Sequence, residues 1–93
     1  MEFEWDERKN RQNFEKHDIS FEMAMIAFSD PHRVITKDIK HSSYDEDRFF
    51  CFGKTDEGII TVRFTVRNNK IRIFGAGKWR EGKSRYEKEN TIQ

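Results

Sequence analysis

The sequence predicts a single α+β domain over residues 1–93, in which two N-terminal helices pack on a twisted antiparallel sheet of about four strands and a further helix ends the chain. Two short segments with helical caps open the chain. Apolar and polar residues then alternate through Ile59–Ala76, as they do in strands with one buried face. A charged segment without this alternation follows, and it predicts the last helix.

The N-terminal third of the chain predicts a short strand and two helices. Met1–Trp5 alternates aromatic and acidic residues, which is compatible with a strand at the edge of a sheet. Residues 6–17 predict a very polar helix with an aspartate as N-cap and Phe14 as its only large apolar side chain. Residues 21–28 predict a more buried helix, because Ser20 is a good N-cap and the Asp-Pro pair that follows ends it.

The middle of the chain predicts two strands before the central pair. A β-branched run lies within Arg33–Ile39, and residues 41–47 form a polar loop. Arg48–Lys54 predicts a strand, and Thr55–Gly58 predicts the turn that joins it to the next one. The terminal helix is predicted beyond Ala76.

Asn68 and Asn69 predict a tight turn inside the alternating segment. Asparagine tolerates the positive φ angles that a two-residue hairpin turn requires. The turn also fixes which residues lie opposite each other. The predicted opposite pairs are Thr65 with Arg72, Phe64 with Ile73, and Arg63 with Phe74.

Alternation divides the strands into a core face and a polar face. Opposite residues in an antiparallel pair share a face, so the assignment extends from one strand to the next. The predicted core residues are Val62, Phe64, Ile71, Ile73, Phe49 and Cys51. The predicted polar face contains Arg63, Thr65, Arg67, Lys70, Arg72 and Phe74, with Arg48, Phe50 and Phe52 from the preceding strand.

The polar face is the candidate ligand-binding surface. Cations, hydroxyl groups and aromatic rings on one sheet face suit a ligand that carries phosphates and stackable bases. A solvated face without function is an equally good interpretation, because antiparallel sheets often expose one side to water. The register also predicts a row Arg48–Thr65–Arg72 across three strands. Its two guanidinium groups require a bound anion or an acidic neighbour such as Glu46 or Asp47.

The composition restricts the kinds of function. The chain has 18 Lys and Arg against 17 Asp and Glu, so any nucleic-acid site must arise from local clustering of cations. The single cysteine, Cys51, cannot form an internal disulfide, which fits a reduced, cytoplasmic protein. No apolar run approaches the length of a membrane span. Three scattered histidines and one cysteine make no metal-ligand set, and we expect neither a metal nor another cofactor.

Two short motifs have competing interpretations. Gly75-Ala76-Gly77-Lys78 lies between a strand and the terminal helix, so its backbone N–H groups could bind an anion. A simple corner between strand and helix is the favoured interpretation. Lys16-His17 could exchange protons near neutral pH, but two cations at a helix end also interact favourably with the helix dipole.

Motifs spread over most of the chain carry a family resemblance. Those in the N-terminal part are Phe3-Glu4-Trp5-Asp6, Lys9, Asn13, Lys16-His17, Ile19-Ser20-Phe21-Glu22, Ala24, Phe28 and Asp30-Pro31. Those in the sheet region are Asp47-Arg48-Phe49, Gly53, Phe64-Thr65, Arg67 and Ile71-Arg72-Ile73. This pattern, from about residue 3 to residue 87, resembles the BrnT toxin family.

The resemblance implies a RelE-like fold and a metal-independent endoribonuclease that arrests translation, as the toxin of a type II toxin–antitoxin system. It also implies a BrnA-like ribbon-helix-helix antitoxin as partner, RNA as substrate, and contact with operator DNA only through the antitoxin. For RNA cleavage, the predicted catalytic residues are His17, Arg48, Arg67, Arg72 and Lys78. The predicted substrate-binding residues are Lys9, Phe50, Arg63, Thr65 and Phe74.

The sequence departs from the family pattern at three places. One is the terminal segment, where a usually arginine-rich stretch is reduced to Lys83, Arg85 and Lys88. Asp18 stands where the family usually has glycine after Lys-His, and Gly77 stands where it usually has arginine after the last strand. If that arginine serves cleavage, Lys78 is the cation that would replace it. A non-catalytic module that binds RNA or an antitoxin is therefore the alternative function.

Overall fold

The computed structural model describes residues 1–91, so the last two residues of the predicted domain lie outside the described part of the chain. Its helices are α1 (Glu7–His17), α2 (Phe21–Ala27) and α3 (Arg80–Glu89). Its strands are β1 (Glu2–Glu4), β2 (Val34–Lys37), β3 (Arg48–Thr55), β4 (Gly58–Arg67) and β5 (Lys70–Gly77). No helix in residues 1–91 is long and apolar enough to cross a membrane.

The strands form one sheet in the order β1-β5-β4-β3-β2. β1 pairs with β5 in parallel, and the other neighbours are antiparallel. The predicted α+β class, with two helices before the sheet and one after it, is confirmed. The N-terminal segment supplies a fifth strand, which extends the predicted sheet at one edge.

The turn between β4 and β5 has the predicted form. Asn68 has a φ angle of 53° and Asn69 one of 63°, the left-handed values that a type I′ turn requires. Thr65 lies opposite Arg72 on β5 and opposite Arg48 on β3, as predicted. The row of two arginines and a threonine therefore exists in the structure.

A β-bulge interrupts this register further along β5. Arg63 pairs with Gly75, and not with Phe74 as the uninterrupted register predicts. The extra residue keeps Phe74 beside the arginines and brings Ala76 into the core, where it is fully buried. Period-2 alternation carries no signal for an inserted residue, which is why the sequence prediction was wrong at this pair.

The core lies between α2 and one face of the sheet. Its fully buried members are Ile19, Phe21, Ala24 and Ala27 from the α2 region, and Cys51, Ile60, Val62 and Ala76 from the sheet. Phe49, a predicted core residue, is half-buried and stacks on Phe64 with ring centroids 5.4 Å apart. Burial raises the pKa of the Cys51 thiol to about 12, so this cysteine remains protonated and unreactive.

α1 is attached to the domain mainly by two asparagine side chains. Its large apolar residue, Phe14, is 49% exposed. The Asn10 amide is buried, and its Oδ1 accepts from the Phe21 N–H at 2.8 Å. The Asn13 amide donates to the Ala76 carbonyl at 2.8 Å and accepts from the Ala76 N–H at 3.2 Å. Asn13 thereby fixes α1 against β5 beyond the point where β1 ends.

α3 packs on the face of the sheet that α2 leaves open. Gly82 lies directly against the Thr61 hydroxyl, and a Cβ atom there would collide with the oxygen. A glycine costs ~1 kcal/mol relative to alanine inside a helix, but this position requires one for close packing. The Tyr86 hydroxyl donates to Asp30 Oδ2 at 2.5 Å, which ties α3 to the segment after α2.

Replacing Phe64 by alanine tests the core. The ring is 4% exposed and contacts the Phe28 and Phe49 rings, with centroids 5.1 and 5.4 Å away. We expect Phe64→Ala to lower the free energy of unfolding by ~3–5 kcal/mol in urea denaturation, because a large cavity is left. Val66→Ala is the control, since Val66 lies two residues along the same strand but is 56% exposed. Equal losses in the two variants would contradict this description of the core.

Candidate active site

A cleft of about 430 Å³ lies where α1 stands beside the polar face of the sheet. From α1 it is lined by Lys9, Gln12, Asn13, Lys16 and His17. From the strands it is lined by Arg48, Arg63, Thr65, Arg67, Arg72, Phe74 and Gly75. Glu46, from the loop before β3, and Trp79, at the start of α3, complete the wall.

The α1 wall follows directly from helical spacing. Positions 9, 12, 13, 16 and 17 recur at the intervals of three and four residues that align along one side of a helix. Asn13 points this side towards β5 through its two bonds to Ala76. The neighbouring cations of α1 are thereby brought to the same cleft as the arginines of the sheet.

The cleft concentrates positive charge in a nearly neutral protein. Six of its lining residues are lysine or arginine and one is histidine, against the single carboxylate of Glu46. The whole chain has a net charge of only +1. Local clustering of this kind creates an attractive potential for a polyanion even where the net charge does not.

Arg48, Thr65 and Arg72 occupy three neighbouring strands at the floor of the cleft. Adjacent strands are ~4.8 Å apart, so the two arginine Cα atoms lie on the order of 10 Å from each other. Thr65 is 2% exposed, and its hydroxyl donates to the Asp47 carbonyl at 2.6 Å. Because this hydroxyl has already donated its proton, its oxygen can only accept a further hydrogen bond. The Arg48 and Arg72 guanidinium groups are therefore the donors that this row can offer to a ligand.

Glu46 holds two of the arginines by their side chains. Its carboxylate accepts from Arg67 at 2.6 Å and from Arg48 Nε at 3.0 Å. The hydrogen bond from Arg67, followed by that from Arg48, holds the pKa of this carboxyl below its usual value. The predicted acidic neighbour is therefore present. Arg72 is paired separately, with Glu4 of β1 at 3.4 Å.

An aromatic ring lies among the arginines at the bulge in β5. The Arg48 guanidinium lies 4.4 Å from the centroid of the Phe74 ring, and that of Arg63 lies 5.7 Å from it. Arg63 crosses over Gly75, where an added Cβ atom would lie 3.3 Å from its Cδ. Phe74 thus orients these guanidinium groups by cation–π contact. A base could stack on the Phe74 ring only beside a guanidinium group or in its place.

Two of the predicted site residues lie outside the cleft. Lys78 projects elsewhere, with its Nζ 3.7 Å from Glu57 Oε1 in the β3–β4 turn. Phe50 lines a separate pocket under α3. The other eight predicted residues line the cleft together.

Several lining residues were missed by the sequence analysis. Gln12 could have been found, because it shares the helical spacing of Lys9 and His17, whereas Lys16 was considered only for proton exchange beside His17. Trp79 had no local signal. Its ring lies across Gly77, where a Cβ atom would come within 2.8 Å, and it meets the His17 ring at 5.1 Å between centroids. The position where the family usually has arginine is therefore covered by an indole in this protein.

The described residues contain no metal-ligand cluster. Among residues 1–91, no group of three or more histidine, cysteine, aspartate or glutamate side chains is placed to hold an ion. Positive charge in the cleft comes from arginine and lysine side chains.

The fold and the cleft together are consistent with a RelE-like protein that acts on a polyanion. Residues 5–82 match the model of a family described as ribonuclease toxin, BrnT, of type II toxin–antitoxin system. The match covers more than half of the chain, and the protein belongs to this family, as the resemblance predicted. It is thus the ribonuclease toxin of a type II system, which implies a cognate antitoxin. The chain has no match among curated proteins.

Replacing Glu46 by glutamine tests the link between the two arginines. Because the folded-state pKa of Glu46 is lowered, its stabilising effect is present above pH 4.5 and is lost as the pH falls through the lowered value. We expect Glu46→Gln to reduce the free energy of unfolding at pH 7 by up to ~1 kcal/mol, since the pair is partly exposed. The difference from the original protein should disappear in acid.

Thermal denaturation over a pH series measures this effect. Asp45→Asn is the control, because Asp45 is exposed and makes no ion pair within residues 1–91. A Glu46→Gln protein that is equally stable at pH 7 would show that the contact contributes nothing to folding.

Proposed function

We propose that the cleft binds single-stranded RNA and cleaves it without a metal ion, so that the protein arrests translation in the cytoplasm. One observation carries this proposal. The arginine row of the sheet and the Lys9, Lys16 and His17 side chains of α1, far apart in sequence, line one cleft. A cleft whose cations come from two elements suits a phosphodiester backbone and leaves room for bases.

The proposed reaction uses the ribose of the substrate itself. The 2′-oxygen attacks the adjacent phosphorus, the bond to the 5′-oxygen breaks, and a 2′,3′-cyclic phosphate and a 5′-hydroxyl result. The proton of the 2′-hydroxyl must be accepted and one must be given to the leaving oxygen. His17 is the lining side chain best suited to exchange protons near neutral pH, and Lys9 and Lys16 stand on the same side of α1.

The arginines of the sheet supply electrostatic stabilisation. Negative charge increases on the phosphate oxygens as the pentacovalent transition state forms, and guanidinium donors held in place favour it over the ground state. Arg48 and Arg72 have the best positions, because strand pairing fixes their backbones on either side of Thr65. Arg67 is more exposed and approaches from the rim with Glu46. Lys78 has no part in this arrangement, and Phe50 lies outside the cleft.

A non-catalytic binding module remains the second candidate. It is favoured by Gly77, which lies under the Trp79 ring and brings no arginine to the end of β5. Expression of the protein alone in a bacterial host separates the two. Growth arrest with cleaved mRNA supports the enzyme, and normal growth with intact RNA supports the module.

We also propose a BrnA-like ribbon-helix-helix protein as the antitoxin. Its binding over the cleft or its rim would block RNA and neutralise the arginines. In this arrangement the toxin reaches operator DNA only through the antitoxin, which carries the DNA-binding fold.

Replacing Arg72 by alanine tests the active face. We expect Arg72→Ala to slow RNA cleavage by about 10²–10³-fold and to abolish growth arrest, because a donor to the transition state is lost. The thermal midpoint should change little, since the Arg72–Glu4 pair is partly exposed and worth at most ~1 kcal/mol. Arg11→Ala is the control, because Arg11 is exposed on α1 outside the cleft. Full toxicity of Arg72→Ala, or its unfolding, would place the active face elsewhere.

Size-exclusion chromatography tests the antitoxin proposal. A mixture of the toxin with the protein encoded beside it should elute as one complex at micromolar concentration, if an interface of standard size, on the order of 1,600 Å², is buried. Elution as two separate proteins would count against a tight pair.

A further inference from the structure

A second pocket of about 240 Å³ opens beside the cleft, between the sheet and α3. Its wall is mostly apolar and includes Phe50, Phe52 and the backbone of Gly82. Arg63 and Trp79 line both this pocket and the cleft, so the two pockets adjoin at these side chains. We propose that this side pocket binds one unpaired nucleobase of an RNA strand whose phosphate lies in the cleft, an inference that rests on the proposed function.

The side pocket offers aromatic surface for a base. The Phe50 and Phe52 rings stack on each other with centroids 5.7 Å apart and an angle of 18° between their planes. Trp79 is 38% exposed at the boundary with the cleft. Aromatic rings next to a cationic track are the arrangement by which proteins hold single-stranded nucleic acid, because every base has a face that stacks.

His41 gives the side pocket a polar group that can contact the edge of a base. Its Nδ1 lies 2.8 Å from Asp38 Oδ2, and the Asp38 side chain is 7% exposed. A carboxylate can only accept, so Nδ1 carries the proton and Nε2 remains available to a ligand. Nε2 makes no hydrogen bond within residues 1–91. In the neutral ring it accepts from the amino or imino group of a base.

The charges around the side pocket favour RNA over an acidic or apolar peptide. Arg63 and Arg85 line it, and the Arg85 guanidinium lies 5.9 Å from the Phe52 ring centroid. Glu81 is its only carboxylate among the lining residues. The pocket therefore combines aromatic side chains with two cations. A nucleobase that is still joined to its phosphates has this combination of surfaces.

Binding of uncleavable RNA tests the proposal. The probes are fluorescent oligonucleotides of one length with 2′-O-methyl groups, as four homopolymers and as an abasic chain that keeps only the backbone. The ratio of affinities for homopolymer and abasic probe isolates the contribution of the bases. We expect Phe50→Leu to lower this ratio by about 5- to 150-fold and to leave abasic binding unchanged. Trp79→Leu should lower the ratio to a similar extent, but because Trp79 also lines the cleft it is not used to judge abasic binding. His41→Gln should reduce the differences among the four homopolymers.

Two controls make each outcome decisive. Tyr44→Leu removes a fully exposed aromatic side chain outside both pockets and should leave every affinity unchanged. Arg72→Ala should weaken all probes, including the abasic one, to the same extent.

If Arg72→Ala acts in this way but the ratio is unchanged in both leucine variants, the side pocket is not a base site and only this inference is overturned. The same holds if those variants weaken antitoxin binding instead. If no probe binds, or binding does not depend on Arg72, the proposed function and this inference both fail.

Discussion

The pairing of β4 with β5 through the Asn68–Asn69 turn is the constraint on which the rest of the structure depends. Two consecutive residues with positive φ allow one tight turn and therefore one register. A shift of a single residue would exchange the two faces of the strand. Phe64 would then leave the core, and the arginines of β4 and β5 would enter it. Core and cleft are two results of the same register.

The bulge at Phe74 is the local departure that completes the cleft. An uninterrupted β5 would turn Gly75 towards the core and Ala76 towards the cleft. With the extra residue, Ala76 is buried and Phe74 stays beside Arg48 and Arg63. Bulges often occur next to functional sites because they redirect a side chain without changing the rest of the sheet. The bulge interrupts the hydrogen-bonded pairing of β4 with β5 at one position. Burial of the Ala76 side chain helps to offset the loss of stability.

The sequence was sufficient for features set by local chemistry. The caps of α1 and α2, the type I′ turn and the alternation of β4 all follow from neighbouring residues, and they predict the Arg48–Thr65–Arg72 row. Features set by the crossing of distant elements were not accessible. The place of Trp79 depends on how α3 leaves β5, and the exit of Lys78 towards Glu57 depends on the neighbouring turn. The α1 side of the cleft could be predicted in part. The helical spacing of its lining residues is visible in the sequence, but the contact of α1 with β5 is not.

The attachment of α1 by Asn13 has a consequence for self-association. β1 covers the edge of β5 only opposite residues 70–72, so the remaining edge would present unpaired N–H and C=O groups to any extended chain. Asn13 occupies both backbone groups of Ala76 and places a helix along this edge. The opposite edge belongs to β2, which is only four residues long and ends at Lys37. A protein with so few apolar residues to spare thus leaves only short stretches of sheet edge available for strand addition.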